Sequence, residues 1–233
     1  MKTKLRHLVE NPPFLGGLIR RLVRKYFSSA PSPAAFPGSK AYWERRYAAG
    51  GDSGTGSYGK LAEFKAGVLN QFVARAGIQT VIEFGCGDGN QLALASYPEY
   101  LGLDVSDSAI ALCRQRFAGD PTRRFSLLSA YAGEQAELAL SLDVIFHLVE
   151  PDIYQAYMRT LFAASNRYVI VYASDTDDNR GCEAPHFKQR KFTAWVAEYA
   201  PEWELIEHIP NQHPYQGDSQ QGSVSDFYIF ARK

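Results

Sequence analysis

The chain has 233 residues, of which 45% are hydrophobic and 21% are charged, a composition typical of a folded globular protein. Three cysteines, at positions 86, 113 and 182, are too few and too scattered for a disulfide framework or a CxxC metal site. No stretch approaches the roughly 18 apolar residues of a membrane span, and the basic N-terminus lacks the apolar core of a secretory signal. These features exclude an integral or secreted protein and predict a cytoplasmic one.

The formal net charge is zero, but the charges are distributed unevenly. Residues 1–25 hold seven basic side chains and one acidic one, which leaves 18 basic and 24 acidic side chains in the rest. Phosphate groups need a cationic surface, so the mildly acidic body argues against a nucleic-acid groove.

The N-terminal segment is set apart by its pattern. Residues 14–27 place apolar side chains on one stripe of a helix and basic ones between them, and residues 28–39 are a linker rich in serine and proline. This predicts an N-terminal helix and linker over 1–38 and a main domain over 39–233. The helix would lie on an anionic membrane surface, or cover an apolar face of its own chain or of a second subunit in a homodimer. The sequence does not choose between these partners.

The main domain begins with a short helical pattern over residues 41–50, a flexible glycine-rich loop at 50–59 and a longer helix that ends at Gly77. Seven short apolar runs then predict strands. In chain order they are TVIEFG (80–85), EYLGLDV (99–105), RFSLL (124–128), LDVIFHL (142–148), RYVIVYA (167–173), WELIEHI (203–209) and VSDFYIFAR (224–232).

Helical patterns such as SDSAIALCRQRF separate the earlier strands, which is typical of βαβ units in a parallel sheet. The last two strands have only a polar loop between them, so they should pair antiparallel at one edge. The sequence therefore predicts an α/β fold with a mostly parallel, seven-stranded sheet and helices on both faces.

The stretch VIEFGCGDGN, residues 81–90, combines a strand that ends in Glu83 with glycines at every second position. A bare backbone turn followed by a helix at Asn90 predicts a nucleoside-like cofactor at the carboxyl edge of the sheet. A dinucleotide fingerprint needs glycine or alanine at position 90, and asparagine stands there. The turn therefore indicates another cofactor class.

The glycine turn and Asp104, at the end of the second strand, resemble the first two motifs of class I S-adenosylmethionine-dependent methyltransferases. The resemblance to this family covers roughly residues 40–233. The resemblance implies a Rossmann-like fold, S-adenosylmethionine as methyl donor and S-adenosylhomocysteine as product. Within this family, the sequence more narrowly resembles small bacterial methyltransferases of glycan or secondary-metabolite pathways.

The resemblance implies a role for each matched residue. Asp104 would accept hydrogen bonds from the ribose hydroxyls, Glu83 would face the aminoacyl end, and the glycines would let the cofactor approach the backbone. After the third strand the family's acidic adenine-binding residue is missing, and Ser129 with the main chain at Ala130 would take its place. The expected cofactor-binding set is Glu83, Phe84, Gly85, Cys86, Gly87, Gly89, Asp104, Val105, Ser129 and Ala130.

The fourth predicted strand ends near His147, which would lie beside the transferred methyl group and act as general base, or else pack against the cofactor. Glu150 and Asp152 are alternative bases or ligands of a divalent metal. A site for such a cation needs several converging oxygens, and Asp175, Asp177 and Asp178 after the fifth strand could add them. A solvated charged loop is the simpler interpretation, so no metal site is assigned.

Three polar segments outside the shared core, residues 50–59, 175–192 and 211–221, are predicted to form the acceptor pocket or to be plain loops. They carry His186, Arg190, His213 and Tyr215, which favour a hydroxylated small molecule such as a sugar. The predicted function is therefore O-methyl transfer to a sugar or secondary metabolite by in-line displacement. An N-methyltransferase and a noncatalytic module that binds a partner through its N-terminal helix are the alternatives.

Overall fold

A computed structural model describes residues 36–182 and 184–233 of the chain. The predicted helix at 14–27 and most of the linker lie outside the described residues, so their membrane or subunit contacts stay predictions. Of the helices that the structure describes, none is long and apolar enough to cross a bilayer.

Five α-helices surround the sheet in the described part of the chain. The longest, α2, ends in Gly77 with a left-handed φ of 62°, which closes the last turn as the sequence predicts. The helix bounds are α1 Ser39–Ala48, α2 Gly59–Ala76, α3 Asp107–Arg116, α4 Pro151–Ala163 and α5 Phe192–Tyr199.

The sheet has seven strands in the order β3-β2-β1-β4-β5-β7-β6. Neighbours among β1 to β5 pair parallel, whereas β7 pairs antiparallel with β5 and with β6. The predicted antiparallel C-terminal pair is confirmed. The strand bounds are β1 Thr80–Phe84, β2 Glu99–Asp104, β3 Arg123–Leu127, β4 Ala136–Leu142, β5 Ser165–Ala173, β6 Trp203–Ile209 and β7 Asp226–Arg232.

The prediction of a fourth strand at 142–148 is wrong. Strand β4 ends at Leu142, because Asp143 adopts a left-handed φ of 58° and breaks the extended backbone. His147 therefore lies in a 3₁₀ turn, Ile145–His147, and not at a strand end. The true strand, AELALSL, is rich in alanine and leucine, which have little β preference, so burial within the sheet decides its conformation.

The expected helix at Asn90 is also wrong. Only a short 3₁₀ turn, Leu92–Leu94, follows the glycines before Pro98 and β2. The glycine turn itself, and not a helix N-terminus, therefore lies at the carboxyl edge of the sheet here.

Helices cover both faces of the sheet, as predicted. Alternate strand residues point to opposite sides, so Ile82 packs in the core beneath α4 and α5 while its neighbour Val81 packs beneath α2 and α3. Burying both faces leaves the carboxyl edge of the parallel strands as the accessible place for a ligand.

Candidate active site

The carboxyl ends of β1, β2 and β4 open into one cavity of about 380 Å³. This volume lies within the range of small-molecule sites. The predicted site residues in its wall are Glu83, Phe84, Gly85, Cys86, Gly87, Asp104, Val105 and His147. Residues that are distant in the sequence therefore meet at the edge where the sequence predicted a cofactor.

The glycine turn departs from β1 with three left-handed residues, Gly85, Gly87 and Gly89, whose φ angles are 89°, 56° and 74°. The N–H groups of Gly85 and Cys86 both donate to the carbonyl of Leu103, so the turn is fastened to β2. A Cβ atom at Gly85 would lie 2.5 Å from Val144. Glycine is required here for both backbone conformation and space.

Gly89 has a different surrounding. A Cβ atom there would lie 2.9 Å from the Phe117 ring and 3.1 Å from the Cys113 sulfur, and the residue does not border the cavity. The third glycine of the motif therefore serves the close packing of the turn on the segment around α3.

Asp104 is buried at the end of β2, and each of its carboxylate oxygens accepts one backbone N–H. Gly87 donates to Oδ2 and Ser106 donates to Oδ1, both at 3.0 Å. Burial raises the pKa of Asp104, while these backbone hydrogen bonds oppose the rise. Each oxygen keeps a further lone pair, so the group can still accept from a ligand hydroxyl.

Glu83 is only 4% exposed, and the Tyr100 hydroxyl donates to its Oε2 at 2.6 Å. Burial raises the pKa of Glu83 to about 7, against the lowering effects of the Tyr100 hydrogen bond and the Lys65 charge. A cation bound in the cavity would stabilise the ionised form of this carboxyl.

The sequence missed Asp88, which lies inside the glycine turn and ties it to the segment 50–59. Its Oδ2 accepts from the Ser53 N–H at 3.0 Å and from the Tyr58 hydroxyl at 2.7 Å, while its own N–H donates to the Ser53 hydroxyl. Asn90 adds a hydrogen bond to the carbonyl of Ser57. The loop that the sequence predicted to be flexible is therefore held against the glycine turn. The serine and tyrosine hydroxyls of segment 50–59 were the feature of the sequence that could have indicated this contact.

Lys65 is a second residue that sequence reasoning missed. It borders the cavity from α2 with a side chain 1% exposed, and its Nζ lies 2.8 Å from Asp143 Oδ2. The signal in the sequence was a lysine on the apolar face of the helix, between the buried residues Leu61 and Leu69.

The residues predicted to hold adenine are placed differently from the expectation. Ser129 and Ala130 are exposed in a 3₁₀ turn and are absent from the cavity wall. The flanking residues Leu128 and Tyr131 border the cavity instead. An apolar and aromatic surface, and not a hydroxyl, therefore faces the cavity after β3.

His147 borders the cavity with a defined orientation. Its Nδ1 lies 2.9 Å from the carbonyl oxygen of His186, an acceptor only, so Nδ1 carries the hydrogen and Nε2 has the free lone pair. Burial lowers the pKa of His147 to about 4, partly offset by this hydrogen bond. The ring meets Trp43 edge-on at 4.9 Å between centroids.

The alternative bases do not share this position. Both oxygens of Glu150 accept from Ser39, Oε1 from its N–H at 2.8 Å and Oε2 from its hydroxyl at 2.5 Å, so Glu150 fastens the start of α1. Asp152 is exposed and Asp175 accepts from Thr193. Among the described residues there is no cluster of three or more acidic, histidine or cysteine groups that could hold a metal ion.

Of the three polar segments predicted to form the acceptor pocket, only one has described residues that border the cavity. Ser53 and Ser57 of segment 50–59 border the cavity, whereas no residue that the structure describes in 175–192 or 211–221 does. Arg190 instead donates to the carbonyls of Leu148 and Val149 and supports the loop behind His147. These two segments therefore do not build the cavity wall that the sequence led us to expect.

Comparisons with known proteins agree with this geometry. Residues 82–165 match the model of a family described as a methyltransferase domain. The match includes the glycine turn, Asp104 and His147. A comparison with curated protein sequences gave no match.

Solved methyltransferases share the fold at low sequence identity. The N-methyltransferase NodS from Bradyrhizobium japonicum WM9, in complex with S-adenosyl-L-homocysteine, has 16% identity and a TM-score of 0.64 over 84% of this chain and 98% of that one. The magnesium protoporphyrin IX methyltransferase ChlM from Synechocystis PCC 6803, also with S-adenosylhomocysteine, has 16% identity and a TM-score of 0.58 over 92% and 100%. The methyltransferase domain of bacterial CtHen1-C has 20% identity and a TM-score of 0.58 over 74% and 99%. Residues 82–165 therefore match a methyltransferase domain, and the chain shares the fold of solved methyltransferases, two of which hold S-adenosylhomocysteine.

Proposed function

We propose that this enzyme methylates an oxygen atom of a small hydroxylated acceptor, such as a sugar or a secondary metabolite. S-adenosylmethionine supplies the methyl group on a sulfonium sulfur, from which an acceptor atom takes it by in-line displacement. The protein's contribution is then to bind both molecules, align them and accept the proton of the acceptor hydroxyl.

The residues of the cavity fit the methyl donor. Asp104 offers lone pairs to the two ribose hydroxyls, and Gly85 and Gly87 border the same cavity. Glu83 adds negative charge where a sulfonium and an ammonium group would lie. The apolar wall of Leu128 and Tyr131 suits a flat aromatic base.

The observation that carries the proposal is the tautomer of His147. Because Nδ1 donates to the carbonyl of His186, Nε2 is the basic nitrogen, and the low pKa keeps it unprotonated at neutral pH. This is the state in which an imidazole accepts the proton of a hydroxyl as the methyl group arrives.

The acceptor itself would contact an aromatic wall. Trp43 borders the cavity beside His147, with Ser39 and the exposed Lys40 on the same helix. A hydroxylated molecule with an apolar face fits these groups, because the ring covers that face while His147 takes the hydroxyl proton.

An acceptor screen with a radiolabelled methyl donor tests the proposal. The panel contains sugars, hydroxylated aromatics and polyols, together with amines of matched size. We expect methyl transfer to hydroxyl compounds that depends on His147. Transfer to amines alone would overturn the assignment to oxygen while leaving the cofactor site intact.

A further inference from the structure

Lys65 is the feature of the cavity that neither the glycine motif nor His147 explains. A lysine side chain only 1% exposed is costly, because its ammonium group has lost its water. Among the described residues its ion-pair partner is Asp143, and its Nζ lies 5.2 Å from the centre of the Tyr172 ring. Although it borders the cavity, none of the steps proposed above uses it.

Asp143 holds the amine in place. Its Oδ2 accepts from Lys65 and its Oδ1 accepts from the Ser225 hydroxyl, both at 2.8 Å. Of the three N–H donors of Lys65, one is used in this way, and the described residues supply no hydrogen-bond acceptor for the other two. The amine therefore has donors left for a ligand in the cavity.

Gln91 offers the complementary group in the same wall. It is 8% exposed, and its Nε2 donates to the carbonyl of Ala62 at 3.1 Å, whereas its Oε1 has no hydrogen-bond partner. A buried acceptor without a donor is unfavourable unless a ligand provides one. Lys65 and Gln91 thus border the same cavity, Lys65 with unused donors and Gln91 with a buried, unpaired acceptor.

The segment 50–59 passes close to Lys65 and Asp143. A Cβ atom at Gly56 would lie 2.7 Å from Asp143 Oδ2 and 3.9 Å from Lys65 Nζ, so only a glycine lets the segment pass so close to the pair. Ser57 of the same segment adds a hydroxyl to the cavity wall.

We propose that Lys65 binds the carboxylate at the methionine end of S-adenosylmethionine, that Gln91 accepts a hydrogen bond from its ammonium group, and that Asp143 positions Lys65. The inference rests on the proposed function. A free amino-acid end carries one carboxylate and one ammonium group, and this matches the spare donors of Lys65 and the unpaired oxygen of Gln91. A carboxylate on the acceptor molecule would have the same chemistry, so the test must separate the two sources.

The test compares two ligands by calorimetry. S-adenosylhomocysteine has the complete amino-acid end, whereas 5′-methylthioadenosine lacks it. We expect Lys65→Met to weaken S-adenosylhomocysteine binding by at least about tenfold and to change methylthioadenosine binding by less than about twofold. The matched control is Lys60→Met on the same helix, because Lys60 is exposed and bonds to Gln221, and it should leave both affinities unchanged.

Each other outcome overturns a defined statement. If Lys65→Met binds S-adenosylhomocysteine as the wild type does, the cofactor carboxylate is not its ligand; a raised KM for an anionic acceptor would then assign Lys65 to that molecule. If both ligands lose affinity equally, Lys65 is structural. If the wild type binds neither ligand, the proposed function itself fails.

A second variant guards against misfolding. Lys65→Met leaves Asp143 buried without its cation, so the double variant Lys65→Met/Asp143→Asn removes both charges and keeps the side-chain volumes similar. A cooperative melt and intact methylthioadenosine binding show that it is folded. The double variant should also lose affinity for S-adenosylhomocysteine and keep its affinity for methylthioadenosine. If it binds both ligands as tightly as the wild type does, the inference is overturned.

Discussion

The backbone N–H of Gly87 donates to the carboxylate of Asp104 at 3.0 Å, across 17 positions of the sequence. The residue expected to bind ribose therefore also holds the middle of the glycine turn. The two motifs are one structural unit, and a change in Asp104 should affect the cofactor through direct contact and through the turn.

We predict that Asp104→Ala weakens S-adenosylmethionine binding by at least about tenfold, because it removes a charged acceptor from two hydroxyls and frees the turn. Calorimetry measures the affinity. The control is Asp107→Ala, an exposed carboxylate three residues away at the start of α3. Unchanged affinity in a folded Asp104→Ala variant would contradict the assignment.

Gly85→Val should abolish cofactor binding and destabilise the fold. The new side chain would meet Val144 and would force a β-branched residue into φ 89°. Gly119 has φ 90° with nothing within 4 Å, so Gly119→Val isolates the backbone strain, about 1–3 kcal/mol. Chemical denaturation should show a larger loss for Gly85→Val. If both variants lose the same stability and Gly85→Val binds the cofactor normally, the glycine turn is not part of the cofactor site.

His147→Ala or His147→Asn should lower turnover by roughly 100-fold or more while cofactor affinity changes little. Since the pKa of His147 is lowered to about 4, its protonation should reduce kcat/KM only as the pH falls toward that value. The checks are a pH–rate profile and a binding constant, with His208→Ala on β6 as control. Loss of binding together with turnover would support a packing role instead.

Glu83 should make stability depend on pH. Its pKa is about 7 in the fold and 4.5 as its ordinary value, so the folded state holds a proton that the unfolded state has lost between these values. The free energy of unfolding should therefore fall as pH rises through this window, by roughly 3 kcal/mol. Urea denaturation from pH 4.5 to 7.5 should show this slope in the wild type and a reduced one in Glu83→Gln. Parallel profiles would contradict the raised pKa.

Residues 14–27 lie outside the described residues, and contact with an anionic membrane surface is one of the alternative roles that their pattern predicts. Four basic side chains on one side of an apolar stripe suit lipid headgroups. If the helix binds a membrane, the full chain should sediment with anionic vesicles in low salt, whereas a chain that begins at Ser39 should not. No sedimentation of the full chain would exclude membrane contact, and a changed solution mass of the shortened chain would point to a subunit interface.

The sequence by itself determined the fold class and predicted a cofactor site at the carboxyl edge of the sheet. Strands such as TVIEFG and RYVIVYA are read from a few consecutive residues, because β-branched and aromatic side chains favour the pleated, buried state locally. Glu83, Gly85, Gly87 and Asp104 were predicted from the glycine turn and from the resemblance to a methyltransferase family. A turn that needs bare backbone and a strand that ends in a carboxylate are both visible over short distances.

Only the tertiary structure decided which residues complete the site. Lys65 and Asp143 are 78 positions apart, and Ser39 and Glu150 are 111 apart, so no local pattern marks either pair. The end of β4 at Leu142 depends on the left-handed Asp143, whose conformation is stabilised by contacts with α2 and with Ser225. A buried charge is stabilised only when an oppositely charged partner lies beside it. Because that partner comes from a distant part of the sequence, the tertiary structure and not the neighbouring sequence brings the two together.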